Sequence, residues 1–246
     1  MPVPASTDVV LLCGGLGTRL RAVLPDGQKT MAPTPRGPFL SVLVRWAAEH
    51  GFRRFIFCTG HLGDSVEQHF STTRDKLDSV YRELGLTFDF SREDSPLGTG
   101  GALRQALPLL KSPAVLVLNG DSHCPMDPAR LLRFHAERGG AASVVVVESG
   151  ERRDGGFVKV GAGDRILSFQ EKVPAPSCFL NAGIYAFERE ALDSLPPGPS
   201  SLERGLFPSL LDRGVYACKA SQRLWDIGTP ERLEKFRKDW GAGDAR

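Results

Sequence analysis

An α/β fold, a mostly parallel mixed sheet with flanking helices and a smaller antiparallel part, is predicted by three features of the sequence. Short apolar, β-rich runs alternate with amphipathic stretches from the start of the chain, the pattern of a sheet covered on both faces. A glycine-rich segment follows the first run directly, where open α/β sheets place their ligands. Beyond residue 142 the runs are separated by Gly- and Asp-containing turns, as in antiparallel hairpins.

Taken in order, Val9 to Cys13 reads as a buried first strand, Pro38 to His50 as a helix and Phe55 to Cys58 as a second strand. A helix at Ser65 to Phe70, a strand at Leu86 to Phe90, a helix at Thr99 to Leu107 and a strand at Ala114 to Leu118 continue the alternation. Asp127-Pro128 supplies an N-cap and an N1 proline for a helix over Ala129 to Glu137. Ala142 to Glu148, Gly156 to Val160 and Ile166 to Glu171 are the hairpin-like strands, which suggest a small substrate lobe; Asn181 to Phe187 returns to the main pattern. Pro196 to Pro199 is a turn cluster, and Thr229-Pro230 opens a terminal helix to about Trp240.

The chain has 246 residues, 41% hydrophobic and 24% charged, enough to bury a substantial core in one domain with a small lobe. Thirty-one Lys and Arg against 29 Asp and Glu give a formal charge of +2, too balanced for a nucleic-acid or membrane-surface protein. No apolar run approaches the roughly 20 residues that span a bilayer, and the start lacks a basic and apolar leader, so a cytoplasmic protein is expected. Five scattered cysteines, without CxxC pairs or zinc spacing, are expected to be reduced thiols, several of them buried in strands.

The chemistry concentrates in a few segments. Gly14-Gly15-Leu16-Gly17-Thr18-Arg19-Leu20 lets backbone amides approach phosphate oxygens, and Arg19 adds a forked cation. A dinucleotide fingerprint would need glycine at Leu20 and an acid at Thr59, and a P-loop would need Gly-Lys before Ser or Thr; all are missing. Lys29 follows a second turn and can return an ammonium to the same phosphates. Asp121 and Asp226 each end a strand-like segment and are spared capping duty by Asp127 and Thr229, which leaves both free for Mg²⁺ at a solvated cleft. Lys172, after Glu171, is a second phosphate candidate; Asn181 and Gly183 combine an amide for sugar hydroxyls with close approach. The segment Glu93 to Gly101 opens a helix whose first amides favour an anion or a base edge, unless Thr99 simply caps that helix.

In this order the segments resemble the sugar-phosphate nucleotidyltransferase family from Val9 to Arg237: GGLGTRL at 14–20, Lys29, PLGTGGA at 96–102, NGD at 119–121, EK at 171–172, NAGIY at 181–185 and DIGTPERL at 226–233. The stretch Arg19 to Leu40 looks most like the D-glycero-α-D-manno-heptose 1-phosphate guanylyltransferase subgroup, except that Gln28 and Thr30 replace the prolines usually flanking the lysine. The resemblance implies a Rossmann-like nucleotidyltransferase fold, with residues 8–121 as a nucleotide-binding half, 122–228 as a sugar-phosphate half and a terminal helix over 229–240. It implies GTP and a sugar 1-phosphate as substrates, Mg²⁺ as cofactor, and a homodimer. Leu12, Gly14, Gly15, Gly17, Thr18, Glu93, Pro96, Gly98 and Thr99 would hold the nucleotide, with Arg19, Lys29 and Asp121 catalytic. Glu171, Lys172, Asn181 and Gly183 would hold the sugar phosphate, and Asp121 and Asp226 the metal. Mannose 1-phosphate guanylyltransferase, a short amino-sugar uridylyltransferase and a catalytically silent nucleotide-sugar sensor remain alternatives.

Overall fold

Among the described residues, nine strands form one continuous mixed sheet. The computed structural model describes residues 2–15, 17–25, 27–76, 83–150, 152, 154–170 and 178–243, with backbone alone for 72–76 and 241–243. In chain order the strands are β1 (Asp8–Leu12), the short pair β2 (Pro33–Thr34) and β3 (Gly37–Pro38), β4 (Arg54–Thr59), β5 (Thr87–Arg92), β6 (Ala114–Asn119), β7 (Ser122–His123), β8 (Ala142–Glu148), β9 (Phe157–Val160), β10 (Ile166–Gln170), β11 (Cys178–Glu188), β12 (Val215–Lys219) and β13 (Trp225–Asp226). Helices are α1 (Phe39–Glu49), α2 (Gly63–Lys76), α3 (Gly98–Ala106), α4 (Pro128–Arg138), α5 (Phe207–Leu210) and α6 (Pro230–Gly243). Residue Glu171, expected to close a strand, lies outside the described residues.

Strands β5, β4, β1 and β6 run parallel in that spatial order, so the chain reverses its direction of travel across the sheet between β1 and β6. Alternate side chains point to opposite faces, and each face has its own core. Val9, Leu11, Phe55, Phe57, Leu116 and Leu118 face α1, α4 and α6. Val10, Ile56, Val115 and Val117 face α3 and the segment around Phe207. Burial on both sides explains why these strands read as continuous apolar runs.

The antiparallel strands extend the same sheet. β11 is its spine: one edge pairs with β6 through Ile184–Glu188 and with β9 through Cys178–Leu180, and the other follows β8. Between Asn181 and Tyr185 the register slips, four steps along β11 spanning two steps of β8, from Val146 to Val144. Such bulges re-aim side chains. Sequence patterning did not show β12, which runs parallel to β8, or the turn at Leu202–Leu206 that leads into α5.

All five cysteines are free and buried, as expected. Two histidines are buried as well: burial, with a smaller push from His50, lowers His123 to about 3, and burial lowers His135 to about 4. Glu188 lies 3.3 Å from His135 Nε2 but does not offset that burial. The unfolded chain protonates both near pH 6.5, so between there and about pH 4 it holds two more protons than the fold. Stability is therefore expected to fall with pH below 6.5, each histidine adding a slope of up to about 1.4 kcal/mol per pH unit. Urea unfolding at pH 7, 6 and 5 checks this; a flat profile would contradict it.

Candidate active site

The carboxyl ends of the parallel strands are held level by backbone hydrogen bonds. Cys13 N donates to Cys58 O at 3.0 Å, Gly120 N to Leu12 O at 2.9 Å and Glu93 N to Thr59 O at 2.9 Å. The glycine loop, Glu93 and Asp121 therefore emerge on one edge, beside the reversal between β1 and β6 where ligands bind. A cavity of about 240 Å³ opens there, lined by Leu12, Gly14, Gly15, Glu93, Pro96, Gly98, Thr99, Ala102, Asn119 and Asp121. Seven of the nine residues expected to hold a nucleotide line it; Gly17 and Thr18 do not.

Glu93 sits between two glycines. A Cβ on Gly14 or on Gly60 would lie 2.5 Å from its Oε1, so the carboxylate occupies the space that only glycine leaves. Its Oε2 accepts from Leu97 N at 3.1 Å, tying the PLGTGG segment to β5. Burial raises the Glu93 carboxyl, with the Leu97 amide working against it. At the start of α3 the Gly100 amide is taken up by Ser200 O at 2.9 Å, and the alternative of a Thr99 cap does not hold: Leu97 is the N-cap residue, and the Thr99 hydroxyl accepts from Leu202 N at 2.9 Å.

Lys29 stands on a short 3₁₀ turn, Lys29–Met31, that its substituted neighbours build. Gln28 and Thr30, each 4% exposed, form a buried clamp. Gln28 Oε1 accepts from Thr30 N and Thr30 Oγ1, both at 2.6 Å, and from Met31 N at 3.2 Å, while its Nε2 donates to Cys13 O. The turn is thus held by side-chain hydrogen bonds in place of prolines. Gln28→Ala leaves several buried polar groups unpaired and is expected to cost about 2 kcal/mol of unfolding free energy. Urea denaturation measures it, and an unchanged midpoint would show the clamp to be idle.

A second cleft of about 530 Å³ adjoins the first, lined by Arg19, Asn119, Asp121, Ser122, Arg152, Asp154, Gly155, Gly156, Leu180, Asn181, Gly183, Leu224, Asp226, Gly228 and Arg232. Asn119 and Asp121 belong to both linings. Asp121 and Asp226, 105 positions apart, are joined by the β7–β13 ribbon, in which Asp226 faces Ser122 and Ile227 N donates to Asp121 O at 3.0 Å. Gly183, at φ 73°, brings the β11 bulge against Asn119 and Ser122; a Cβ there would lie 2.6 Å from Ser122 Oγ.

The capping argument holds, since Asp127 accepts from Ala129 N at 2.8 Å and Thr229 from Arg232 N at 3.4 Å. The inference that Asp226 is therefore spare is corrected. Its side chain is 15% exposed, pairs with Arg152 and, at 3.0 Å, with Arg232, and accepts from Gly228 N at 2.7 Å. Burial pushes this carboxyl up, but Arg152, the Gly228 amide and Arg232 outweigh it and hold it below the usual carboxylate range. Asp121, 39% exposed, is paired with the Lys29 ammonium. Glu171 and Lys172 lie outside the described residues.

Sequence reading passed over Arg152, Asp154 and Arg232. Arg232 chelates Asp154 at 2.6 and 2.8 Å and completes a four-membered charge cluster with Asp226. Arg152 and Asp154 look in the sequence like polar residues of a glycine turn, and Arg232 like a solvated helix residue; only the fold brings them to Asp226. No cluster of three or more His, Cys, Asp or Glu that could hold a metal exists among the described residues. Asp121 and Asp226, two carboxylates lining one cleft, match the one or two protein carboxylates that Mg²⁺ usually takes, waters and phosphate oxygens filling the rest of its octahedron. Among the described residues, no helix is long and apolar enough to cross a membrane.

Comparison with known proteins identifies the family. The family model described as nucleotidyl transferase matches residues 8–241. Mannose-1-phosphate guanylyltransferase of Mycobacterium tuberculosis is 35% identical over 243 residues, covering 97% of this chain and 66% of that protein. The chain thus spans just under two thirds of that relative's length. D-glycero-alpha-D-manno-heptose 1-phosphate guanylyltransferase of Campylobacter jejuni is 29% identical over 230 residues, covering 93% of this chain and 98% of that one. The crystal structure of HddC from Yersinia pseudotuberculosis complexed with GMP-PN superposes with a TM-score of 0.81 at 26% identity, over 95% of this chain and 99% of that one.

Proposed function

The chain belongs to the nucleotidyl transferase family, and on that premise we propose that it transfers GMP from GTP to a sugar 1-phosphate, releasing pyrophosphate and forming a GDP-sugar in the cytoplasm. The observation that carries this reading is the pair of cavities meeting at Asn119 and Asp121, one lined by the glycine loop and Glu93, the other by Asn181, Gly183, Arg19 and Asp226. Two anionic substrates bound side by side would meet at that junction. Guanine and a heptose or mannose 1-phosphate are supported by the relatives' names and by the stretch from Arg19 to Leu40, which resembles the heptose subgroup.

A phosphate monoester with a second pKa near 6 is largely dianionic at neutral pH, so the sugar 1-phosphate is its own nucleophile and no general base is required. The protein's task is to hold two polyanions in line and stabilise charge on the α-phosphoryl group and the departing pyrophosphate. In this reading the backbone of Gly14 and Gly15 faces the triphosphate, and Arg19 and Lys29 supply fixed positive charge. Asn181 orients the sugar. Members of this family generally use a divalent metal; Mg²⁺ held by Asp121 and Asp226 would screen the repulsion between the two phosphates.

Pyrophosphate release across four NTPs and a panel of sugar 1-phosphates tests the assignment. GTP with D-glycero-α-D-manno-heptose 1-phosphate is expected to be the fastest pair. Faster turnover of UTP or dTTP with every sugar phosphate would overturn the guanine assignment, and no release from any pair would favour a silent sensor.

A further inference from the structure

Tyr185 is fully buried in β11, and a buried phenol needs partners for its hydroxyl. It accepts from Asn181 Nδ2 at 3.0 Å and, at a longer 3.4 Å, from Asn119 Nδ2. It donates to Glu203 Oε1 at 3.2 Å. Glu203 Oε2 in turn accepts from Ser201 Oγ at 3.0 Å and Thr99 Oγ1 at 3.2 Å. Asn181 Oδ1 accepts from Gly183 N at 2.9 Å, which fixes the rotation of that amide.

Every hydrogen in this chain has one direction. The Thr99 and Ser201 hydroxyls each accept from a backbone amide, of Leu202 at 2.9 Å and Arg204 at 3.2 Å, and so turn their protons toward Glu203. Tyr185 accepts from amides and gives its own proton to the same carboxylate. A carboxylate, which only accepts, satisfies all three donors; a glutamine would turn an NH₂ toward one side of the chain. Burial, and then the Glu203 charge, raise the Tyr185 hydroxyl well above its ordinary value, so it keeps the proton it donates.

The ends of the chain lie in different half-sites. Thr99 lines the smaller cavity, Asn181 the larger cleft, and Asn119 both. We infer that Tyr185 and Glu203 are positioning residues that lock the nucleotide side to the sugar-phosphate side, by fixing the Asn181 and Asn119 amides and the Thr99 hydroxyl in one arrangement. The inference rests on the two-substrate reading of the cleft, and neither residue is expected to touch a reacting atom.

Tyr185→Phe removes one oxygen and little volume. It frees the Asn181 amide while leaving the Thr99–Glu203 contact in place, so the KM for sugar 1-phosphate is expected to rise about tenfold, the value of one hydrogen bond, with the KM for NTP nearly unchanged. Glu203→Gln disturbs both ends and is expected to raise both KM values. A purely structural role would lower the amount of active protein without separating the two constants. A second readout needs no substrate: the Asn119 and Asn181 side-chain amide NMR signals, assigned through Asn119→Asp and Asn181→Asp, are expected to shift and to lose protection from exchange in Tyr185→Phe. Unchanged amide signals, or KM values for both substrates equal to wild type in both variants, would overturn the inference. A wild-type protein that turned over no pair would contradict the proposed reaction instead, with the amide signals still deciding the network.

Discussion

Asp121→Ala is expected to abolish most turnover at a small cost in melting temperature, because the Lys29 ammonium, on a side chain 12% exposed, loses its partner. The carboxylate stands past the end of β6 in the part where both cavities meet, 39% exposed and, among the described residues, paired with the Lys29 ammonium. Its loss exposes no core. If it holds Mg²⁺ with Asp226, the variant forfeits several kcal/mol of charge stabilisation, or about 10³-fold in rate. Asp226 is expected to matter as much for turnover but to behave differently in stability. Asp226→Ala leaves the half-buried Arg152 and Arg232 guanidiniums to share the more exposed Asp154 alone, so it is expected to melt lower than Asp121→Ala. Asp226→Asn, which keeps an acceptor for the Gly228 amide, separates the two effects. Because the pair acts as a unit, the double variant is expected to be little slower than either single one. Steady-state pyrophosphate release with titrated Mg²⁺, beside melts of each variant, measures all of this; full activity in EDTA would remove the shared metal.

Arg19→Ala is expected to lower kcat/KM by about 10²-fold, the usual loss for one preorganised electrostatic contact to developing charge. Arg19 is exposed, follows the glycine loop, and lies over Gly228, where an added Cβ would meet its Nη2 at 3.4 Å. It shares the cleft with Asp121 and Asp226, so its guanidinium is well placed for a phosphate and contributes little to the fold. The melting temperature should therefore stay close to wild type. Near wild-type turnover in this variant would take the loop out of the mechanism.

The parallel half of the fold was legible because buried strands with an open carboxyl edge leave a local trace: an apolar run, then glycine, asparagine or aspartate. The glycine loop and Asp121 were read that way, whereas Leu12 and Glu93 came with the family resemblance; their strands bring all of them to one edge. Asp226 was singled out by an argument of which the structure supports one half. Its neighbour Thr229 does take the capping role, but freedom from capping says nothing about Arg152 and Arg232, which reach it from a distant turn and from the next helix. Long-range ion pairs carry no periodicity. The same holds for Gln28, which the sequence shows as an exchange for a proline and the fold shows as a clamp. Tyr185 and Glu203 were invisible as a pair because their contact depends on the β11 bulge and on the turn at Leu202–Leu206, neither of which local propensity encodes.

The central claim is that this cleft joins a nucleoside monophosphate to a sugar 1-phosphate. Following ³¹P NMR of the purified protein with GTP, D-glycero-α-D-manno-heptose 1-phosphate and Mg²⁺ tests it most directly. The account predicts that pyrophosphate and the paired resonances of a sugar nucleoside diphosphate appear together in equal amounts, and only when both substrates are present. Release of inorganic phosphate or GDP from GTP alone, or unchanged spectra across the guanine and sugar panels, would contradict it.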